Sequence, residues 1–232
     1  MKLAKILSNL NLFLHKISFD KHKSIRENII NIVKEKNNKF YDYGEGFFYQ
    51  SISSINLKGL RNTEKRINKL KLNQYLNGKS FLDIGTNIGA IPISVENNFT
   101  NGIGIDHNPT LIKVANQVKD YFNIKNLKFI ADDFIKYDFK SNFDVVLSLA
   151  NHSTFDKGIE DSSKYFIKIK NILNKNGILI LESHNPLYEK KEIFIKIIDE
   201  LRNDYVILDN NFYDFGNFYD KNRLFYVMQK KS

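Results

Sequence analysis

The sequence contains no cysteine and no tryptophan, and only 3 of its 232 residues are proline. The lack of cysteine excludes disulfide bonds and thiolate metal sites, and it suits the reducing cytoplasm in which we expect the chain to work. No apolar run reaches the length of about 20 residues that a helix needs to cross a bilayer. Ser8, Asn9 and Asn11 interrupt the apolar stretch near the start, so this stretch does not resemble a signal peptide.

Charge is distributed unevenly along the chain. The formal net charge is +9, and residues 1–79 carry +10 while residues 80–232 carry −1. With 42% hydrophobic residues, the chain is long enough for one globular domain and an additional segment. We therefore expect a basic, helical N-terminal extension or lid over residues 1–79 and a globular domain over residues 80–232. Such a basic surface attracts nucleic acid, an anionic membrane surface or a phosphorylated substrate, or it is simply a solvated surface.

Apolar residues in the extension recur at helical spacing. This spacing predicts an amphipathic helix over residues 3–17, which either packs on the rest of the extension or lies on a membrane surface, and a second helix over 21–36. An aromatic and polar cluster then precedes the string GLRNTEKRI at 59–67. Arg61 and Arg66 in this string suit bidentate binding of a carboxylate or phosphate, or else pairing with neighbours on a helix surface.

The string SFLDIGTNIGA at residues 80–90 is the most informative part of the chain. A short apolar run contains Asp83 near its end, and Gly85 and Gly89 follow at loop spacing before a second apolar segment. Glycine is used where the backbone turns sharply or approaches a ligand, and a helix start presents N–H groups to that ligand. The spacing differs from the G-x-G-x-x-G of dinucleotide folds, and the acid suits a cationic or amino-bearing ligand. The string therefore predicts a turn that holds a small molecule at the edge of an α/β sheet.

Polar side chains also follow the later strands of the predicted sheet. Asp106 ends the apolar string GIGID about 20 residues beyond the glycine turn, where α/β nucleotide sites place a carboxylate on ribose hydroxyls. A last apolar strand at 224–230 follows a polar turn, so we expect it to run antiparallel to its neighbour. Ligands bind at the carboxyl ends of strands in open α/β sheets, so this order predicts a site along one edge. The other elements that we predict are strands at 127–131, 143–149, 177–183 and 205–208 and helices at 109–121, 160–174 and 189–201.

Residues 80–230 resemble the class I S-adenosylmethionine (SAM) dependent methyltransferases. Motif I of that superfamily, D/E-x-G-x-G-x-G, is similar to the acid, glycine, asparagine and glycine of the turn, with Asn87 in place of the middle glycine. Asparagine tolerates left-handed dihedrals better than other non-glycine residues, so we expect the turn to be kept. The resemblance implies an α/β, Rossmann-like sheet of seven strands, mostly parallel with an antiparallel last strand, and SAM as the cofactor.

The resemblance also implies roles for residues around the sheet edge. An acid after the third strand would meet the adenine amino group, with an apolar neighbour over the ring, and Tyr49 and Gln50 in a lid would touch the methionine part. The cofactor-binding residues that we expect are Asp83, Gly85, Thr86, Asn87, Gly89, Asp106, His107, Asp132, Asp133, Phe134, Leu149, Tyr49 and Arg61.

Two histidines stand beyond the ends of the fourth and fifth predicted strands. His152 lies in the string LANHSTFD, and His184 lies in LESHNP. An alcohol that accepts a methyl group must lose its proton, most often to His, Asp or Glu, so we expect His152 to be the general base, with His184 next. Each histidine otherwise serves as a hydrogen-bonding loop residue that shapes the pocket. We predict no metal site, because nothing fixes the spacing of these histidines and Glu182 for one.

The string LANH also bears on the methyl acceptor. DNA and RNA amino-methyltransferases of the resembled superfamily often carry [N/D]-P-P-[Y/F] at this place, and LANH has neither proline. This difference disfavours methylation of a base amine, and a histidine base favours a hydroxyl or acidic oxygen of a small molecule, for example a sugar or a phosphorylated metabolite. Two alternatives stay open: an RNA methyltransferase that uses the basic extension, and a non-catalytic SAM-binding partner subunit.

Overall fold

A computed structural model of the protein describes residues 20–34, 48–151, 162–184, 189–214 and 221–232. Within these ranges a seven-stranded sheet carries helices on both faces, and a two-stranded sheet precedes it in the chain. The helix predicted over residues 3–17 lies outside the described residues. None of the described helices is long and apolar enough to cross a membrane.

The helices and strands follow the predicted order along the chain. The bounds predicted for the helix at 109–121 and for the strands at 127–131 and 143–149 are confirmed. The elements are α1 Lys23–Lys34, β1 Phe48–Gln50, β2 Gly59–Arg61, α2 Thr63–Lys69, α3 Leu72–Leu76, β3 Ser80–Ile84, α4 Ala90–Ser94, β4 Asn101–Asp106, α5 Pro109–Tyr121, β5 Leu127–Ala131, β6 Phe143–Leu149, α6 Ser162–Ile172, β7 Leu173–Glu182, α7 Lys191–Leu201, β8 Tyr205–Tyr213 and β9 Arg223–Lys230.

The large sheet has the strand order β5-β4-β3-β6-β7-β9-β8. Strands β3 to β7 pair in parallel, and β9 lies antiparallel between β7 and β8. The predicted α/β sheet of seven strands with an antiparallel last strand is therefore confirmed. Because the parallel strands share one direction, their carboxyl ends meet at a single edge, which we call the carboxyl edge.

Strand β8 is longer than the sequence indicates. It was expected over 205–208, but it continues through a polar stretch to Tyr213, after an irregularity in register between Ile207 and Asp209. Its place at the outer end of the sheet explains the difference, because the exposed side chains of an edge strand need not be apolar.

Alternate residues of the strands point to two separate cores. Phe81 belongs to one cluster, together with Ile25 and Ile29 of α1, while Leu82 belongs to the other, together with Phe194 of α7. This alternation is the period of two that a strand buried on both faces requires. Residues of α1 and β1 thus share a core with the sheet, so the N-terminal elements pack directly on the domain that follows them.

Candidate functional site

The glycine turn lies at the carboxyl edge, immediately after β3. Gly85, Asn87 and Gly89 all have left-handed backbone conformations, with φ of 67°, 56° and 71°. The backbone N of Thr86, a buried residue, donates to Ile105 O at 3.0 Å and ties the turn to β4. Asn87 keeps the backbone conformation of the turn because asparagine tolerates this region of φ and ψ.

Asp106 stands at the end of β4 and faces the glycine turn. Its Oδ2 accepts from the backbone N of Asn87 at 2.9 Å, and its Oδ1 accepts from the backbone N of Asn108 at 3.0 Å. Each carboxylate oxygen has a second lone pair, so the same group is able to accept from the two hydroxyls of a ribose. The pKa of Asp106 lies above its ordinary value, because burial raises this pKa more than the two backbone hydrogen bonds lower it. His107 beside it is exposed, with Nδ1 3.7 Å from Oδ1 of Asp106.

Asp83 is a nearly buried carboxyl group within β3, 4% exposed. Burial raises its pKa to about 7, although the charge of Arg66 lowers it. A carboxyl group that titrates near neutral pH changes its charge when a cationic group approaches, because an opposite charge favours the ionised form. The position therefore suits an ammonium-bearing ligand, as the sequence indicates.

The segment after β5 divides into an exposed part and a buried part. Asp132 is exposed and Asp133 is half-buried, and Oδ1 of Asp133 accepts from the backbone N of Ile135 at 2.7 Å. Phe134, which we expected to cover an adenine ring, is instead 1% exposed and packs edge-on against Tyr165 with ring centroids 5.2 Å apart. The ring of Phe134 thus belongs to the core, and its contact with adenine stays a prediction.

Glu182, the last residue of β7, is completely buried and lies between two arginines. Its Oε1 is 3.1 Å from Nη2 of Arg61, and its Oε2 is 2.5 Å from Nη2 of Arg66. Burial alone would raise its pKa, but the charges of Arg66, Arg61 and Arg223 lower it to about 2. We call Glu182, Arg61 and Arg66 the buried clamp. A carboxylate with so low a pKa is a poor general base near neutral pH.

The buried clamp excludes one of the two interpretations of Arg61 that the sequence allows. Arg61 ends β2 rather than lying on a helix, and it is 1% exposed, so the alternative of surface pairing on a helix is wrong. Its Nη1 also donates to the hydroxyl of Tyr49 at 3.1 Å. The two residues that we expected at the cofactor are therefore joined to each other and to β7.

Gln50 adds a buried hydrogen-bond acceptor beside the clamp. It lies opposite Arg61 in the β1–β2 pairing and is 7% exposed. No donor within the described part of the chain reaches its Oε1. A buried polar atom of this kind costs free energy unless a ligand or water satisfies it, so Gln50 suits a ligand that carries an N–H or O–H group.

The predicted catalytic residues have unequal standing in the structure. His152 lies outside the described residues, so its proposed role stays a prediction. His184 is half-buried just beyond β7, and its backbone N donates to Oε2 of Glu189 at 2.7 Å. Leu149 is half-buried at the end of β6. Within the described ranges, no group of three or more His, Asp or Glu residues is arranged to hold a metal ion.

Two features of the site are not predicted from the sequence: the partner of Glu182 and the role of Asn151. A glutamate in the otherwise apolar string GILILES signals a buried charge, and such a charge requires a cation close to it. Asn151 follows β6 directly, is 7% exposed, and donates through its Nδ2 to Ile84 O beside the glycine turn. A polar residue at the end of an apolar strand was the signal for this position.

Comparisons with known proteins agree with this geometry. A family model described as a methyltransferase domain matches residues 76–228. The mouse protein EEF1A lysine methyltransferase 2 is 28% identical over 112 residues, which is 46% of this chain and 46% of that protein. This chain spans about half the length of the curated relatives that it matches.

Two solved structures share the fold. The N-methyltransferase NodS from Bradyrhizobium japonicum, in complex with S-adenosylhomocysteine (SAH), has a TM-score of 0.61 at 15% identity and covers 72% of this chain and 85% of its own. The magnesium protoporphyrin IX methyltransferase ChlM from Synechocystis, with bound SAM, has a TM-score of 0.58 at 17% identity and covers 73% of this chain and 78% of its own.

We predict that Glu182→Gln lowers the free energy of unfolding at pH 7 by about 3 kcal/mol, because removal of one member of a buried ion pair leaves charges that are not compensated. The pKa of Glu182 in the folded protein lies below its ordinary value of 4.5, so its stabilising effect is present above pH 4.5 and is lost as the pH falls toward 2. Urea unfolding of the wild type and the variant over this range should therefore show two curves that converge at acid pH.

Glu64→Gln is the matched control for this experiment, because Glu64 is an exposed residue of α2. Its free energy of unfolding should stay within about 0.5 kcal/mol of the wild type at every pH. A Glu182→Gln variant as stable as the wild type at pH 7 would show that the buried clamp does not stabilise the fold.

Proposed function

The chain belongs to the methyltransferase-domain family of the class I SAM-dependent superfamily, and we propose that it transfers a methyl group from SAM to an oxygen of a small molecule. The observation that best supports SAM binding is the carboxylate of Asp106, which is held beside the left-handed glycine turn at the carboxyl edge. A carboxylate in this place accepts hydrogen bonds from both hydroxyls of a ribose. The proposed site thus lies where open α/β sheets bind nucleotides.

The residues around the edge divide among the parts of SAM in this proposal. Asp106 and His107 line the ribose, and Asp132 and Asp133 line the adenine. The turn from Gly85 to Gly89 supports the chain between ribose and methionine. Asp83 and Gln50 offer acceptor oxygens to the methionine ammonium, since both oxygens belong to side chains that are more than nine-tenths buried. Tyr49 of β1 and Arg61 of β2 support the cofactor site by holding these two strands in place.

The proposed acceptor is an oxygen nucleophile. SAM supplies an activated methyl group when it is bound, and the protein has to orient the acceptor and take up its proton. We assign the proton to His152 or His184. Arg66 and Arg223 lie close to Glu182 and Ser183, the two residues before His184, and their positive charges favour an acceptor that is neutral or acidic.

A protein lysine is the second candidate acceptor. The observation that favours it is the similarity to EEF1A lysine methyltransferase 2, which covers about half of each chain. A lysine acceptor would have to bring an amine to the edge of the sheet where three arginines gather around Glu182. Glu182 and Glu189 are both buried at the same edge, so their negative charges partly balance the positive charges of the arginines.

We expect SAH to bind the purified protein with micromolar affinity, and Asp106→Ala to weaken this binding at least about tenfold, because the variant loses the acceptor for the ribose hydroxyls. Isothermal titration calorimetry measures both affinities. Asp120→Ala removes an exposed carboxylate from α5 and should bind SAH like the wild type. Absence of SAH binding to the wild-type protein would contradict the proposal.

Transfer of a labelled methyl group from SAM to a panel of acceptors tests the substrate class. The panel contains hydroxylated and phosphorylated metabolites, elongation factor 1A and total RNA, and a reaction without the protein serves as the blank. We expect label in the small-molecule fraction, with a rate that falls at acid pH as a histidine base becomes protonated. Label in lysine side chains would establish the second candidate instead, and label in RNA would establish RNA as the acceptor.

A further inference from the structure

Three buried polar side chains form a hydrogen-bonded network beneath the glycine turn. Oγ of Ser148 lies 2.8 Å from both Oδ1 of Asn151 and the hydroxyl of Tyr165, and the Tyr165 hydroxyl lies 2.9 Å from the same Oδ1. Nδ2 of Asn151 donates to Ile84 O. The network thus connects helix α6, strand β6 and the last residue of β3 before the turn.

The partners fix the orientation of the Asn151 amide. A backbone carbonyl such as Ile84 O only accepts, so the amide nitrogen must face it, and the amide oxygen must face the two hydroxyls. Burial raises the pKa of Tyr165 far above its ordinary value, so its hydroxyl stays protonated and remains a donor at every working pH. Tyr165 is 1% exposed and Ser148 is completely buried, so water does not compete for these hydrogen bonds.

The backbone next to Asn151 is strained, and the hydrogen bonds of Asn151 with Ser148, Tyr165 and Ile84 help to stabilise it. Ala150 has a left-handed conformation with φ of 61°, which is costly for a residue with a Cβ atom. The backbone N of Ala150 donates to Glu182 O at 3.0 Å, so the turn at residues 150–151 is also fixed to β7. This turn carries Asn151 back under the glycine turn, where a Cβ atom at Gly85 would lie 2.8 Å from Nδ2 of Asn151.

We propose that Tyr165 is a positioning residue of the SAM site, and that its hydroxyl acts through Asn151 on the carbonyl of Ile84 and so on the glycine turn. This inference rests on the proposed function, because it supposes that the turn holds SAM. It assigns to α6, a helix on the far side of the sheet from α1, a defined effect on cofactor affinity.

The alternative role for Tyr165 is packing alone. Its ring lies in the core, with centroids 5.2 Å from Phe134 and 5.1 Å from Phe166, and phenylalanine would fill the same space. Tyr205 offers a matched comparison, because it is 2% exposed, belongs to the same core, and has a hydroxyl without a hydrogen-bond partner among the described residues. Tyr205 begins β8 and lies near the amino ends of the parallel strands, whereas the glycine turn lies at their carboxyl ends.

Titration of SAH into the wild type, Tyr165→Phe and Tyr205→Phe, well below their melting temperatures, tests the proposal. We expect Tyr165→Phe to bind SAH about fivefold more weakly than the wild type, and Tyr205→Phe to bind it with unchanged affinity. Absence of binding to the wild type would overturn the proposed function. Wild-type binding together with equal affinity for Tyr165→Phe would overturn this inference alone.

A double-mutant cycle separates positioning through Asn151 from a general loosening of the core. In the Asn151→Ala background, Tyr165→Phe should cause no further loss of SAH affinity, because the hydroxyl no longer has the side chain through which it acts. A further fivefold loss in that background would contradict the proposal. If Tyr165→Phe does not fold, Ser148→Ala removes the other hydroxyl of the network, and the same two outcomes decide.

Discussion

One buried carboxylate joins the short N-terminal strand β2 and helix α2 to strand β7 of the large sheet. Glu182 at the end of β7 is held by Arg61 of β2 and Arg66 of α2, and all three side chains are at most 1% exposed. A charge in so apolar a place is tolerated only when it is paired with good geometry. The pairing therefore fixes the short N-terminal strands, which carry Tyr49 and Gln50, against the carboxyl edge at the end of β7.

Hydrogen bonds from neighbouring strands stabilise the backbone conformations of the rest of the site. The glycine turn is tied to β4 through Asp106 and Thr86, and to β6 through the amide of Asn151. Ala150 adopts a left-handed conformation that only its surroundings stabilise. The glycine turn and Asp106 thus depend on partners in neighbouring strands, and such bonds make the carboxyl edge of an open α/β sheet rigid.

Local sequence patterns predicted the order of strands and helices and the place of the glycine turn. These features depend on apolar periodicity and on residues with special dihedrals, both of which act over a few positions. The buried clamp was not predictable in this way, because Arg61 and Arg66 lie 121 and 116 residues from Glu182. Phe134 shows the same limit, because its edge-on packing against Tyr165 of α6 joins residues that are distant in sequence.

Because the buried clamp attaches β1 and β2 to β7, we expect cofactor binding to depend on Glu182. The most direct test is the SAH affinity of Glu182→Gln, measured by calorimetry at pH 7 and at a temperature where circular dichroism shows the variant to be folded. We expect SAH to bind this folded variant about tenfold more weakly than the wild type, since β1 and β2 lose their attachment to β7. A folded Glu182→Gln protein that binds SAH with wild-type affinity would contradict it.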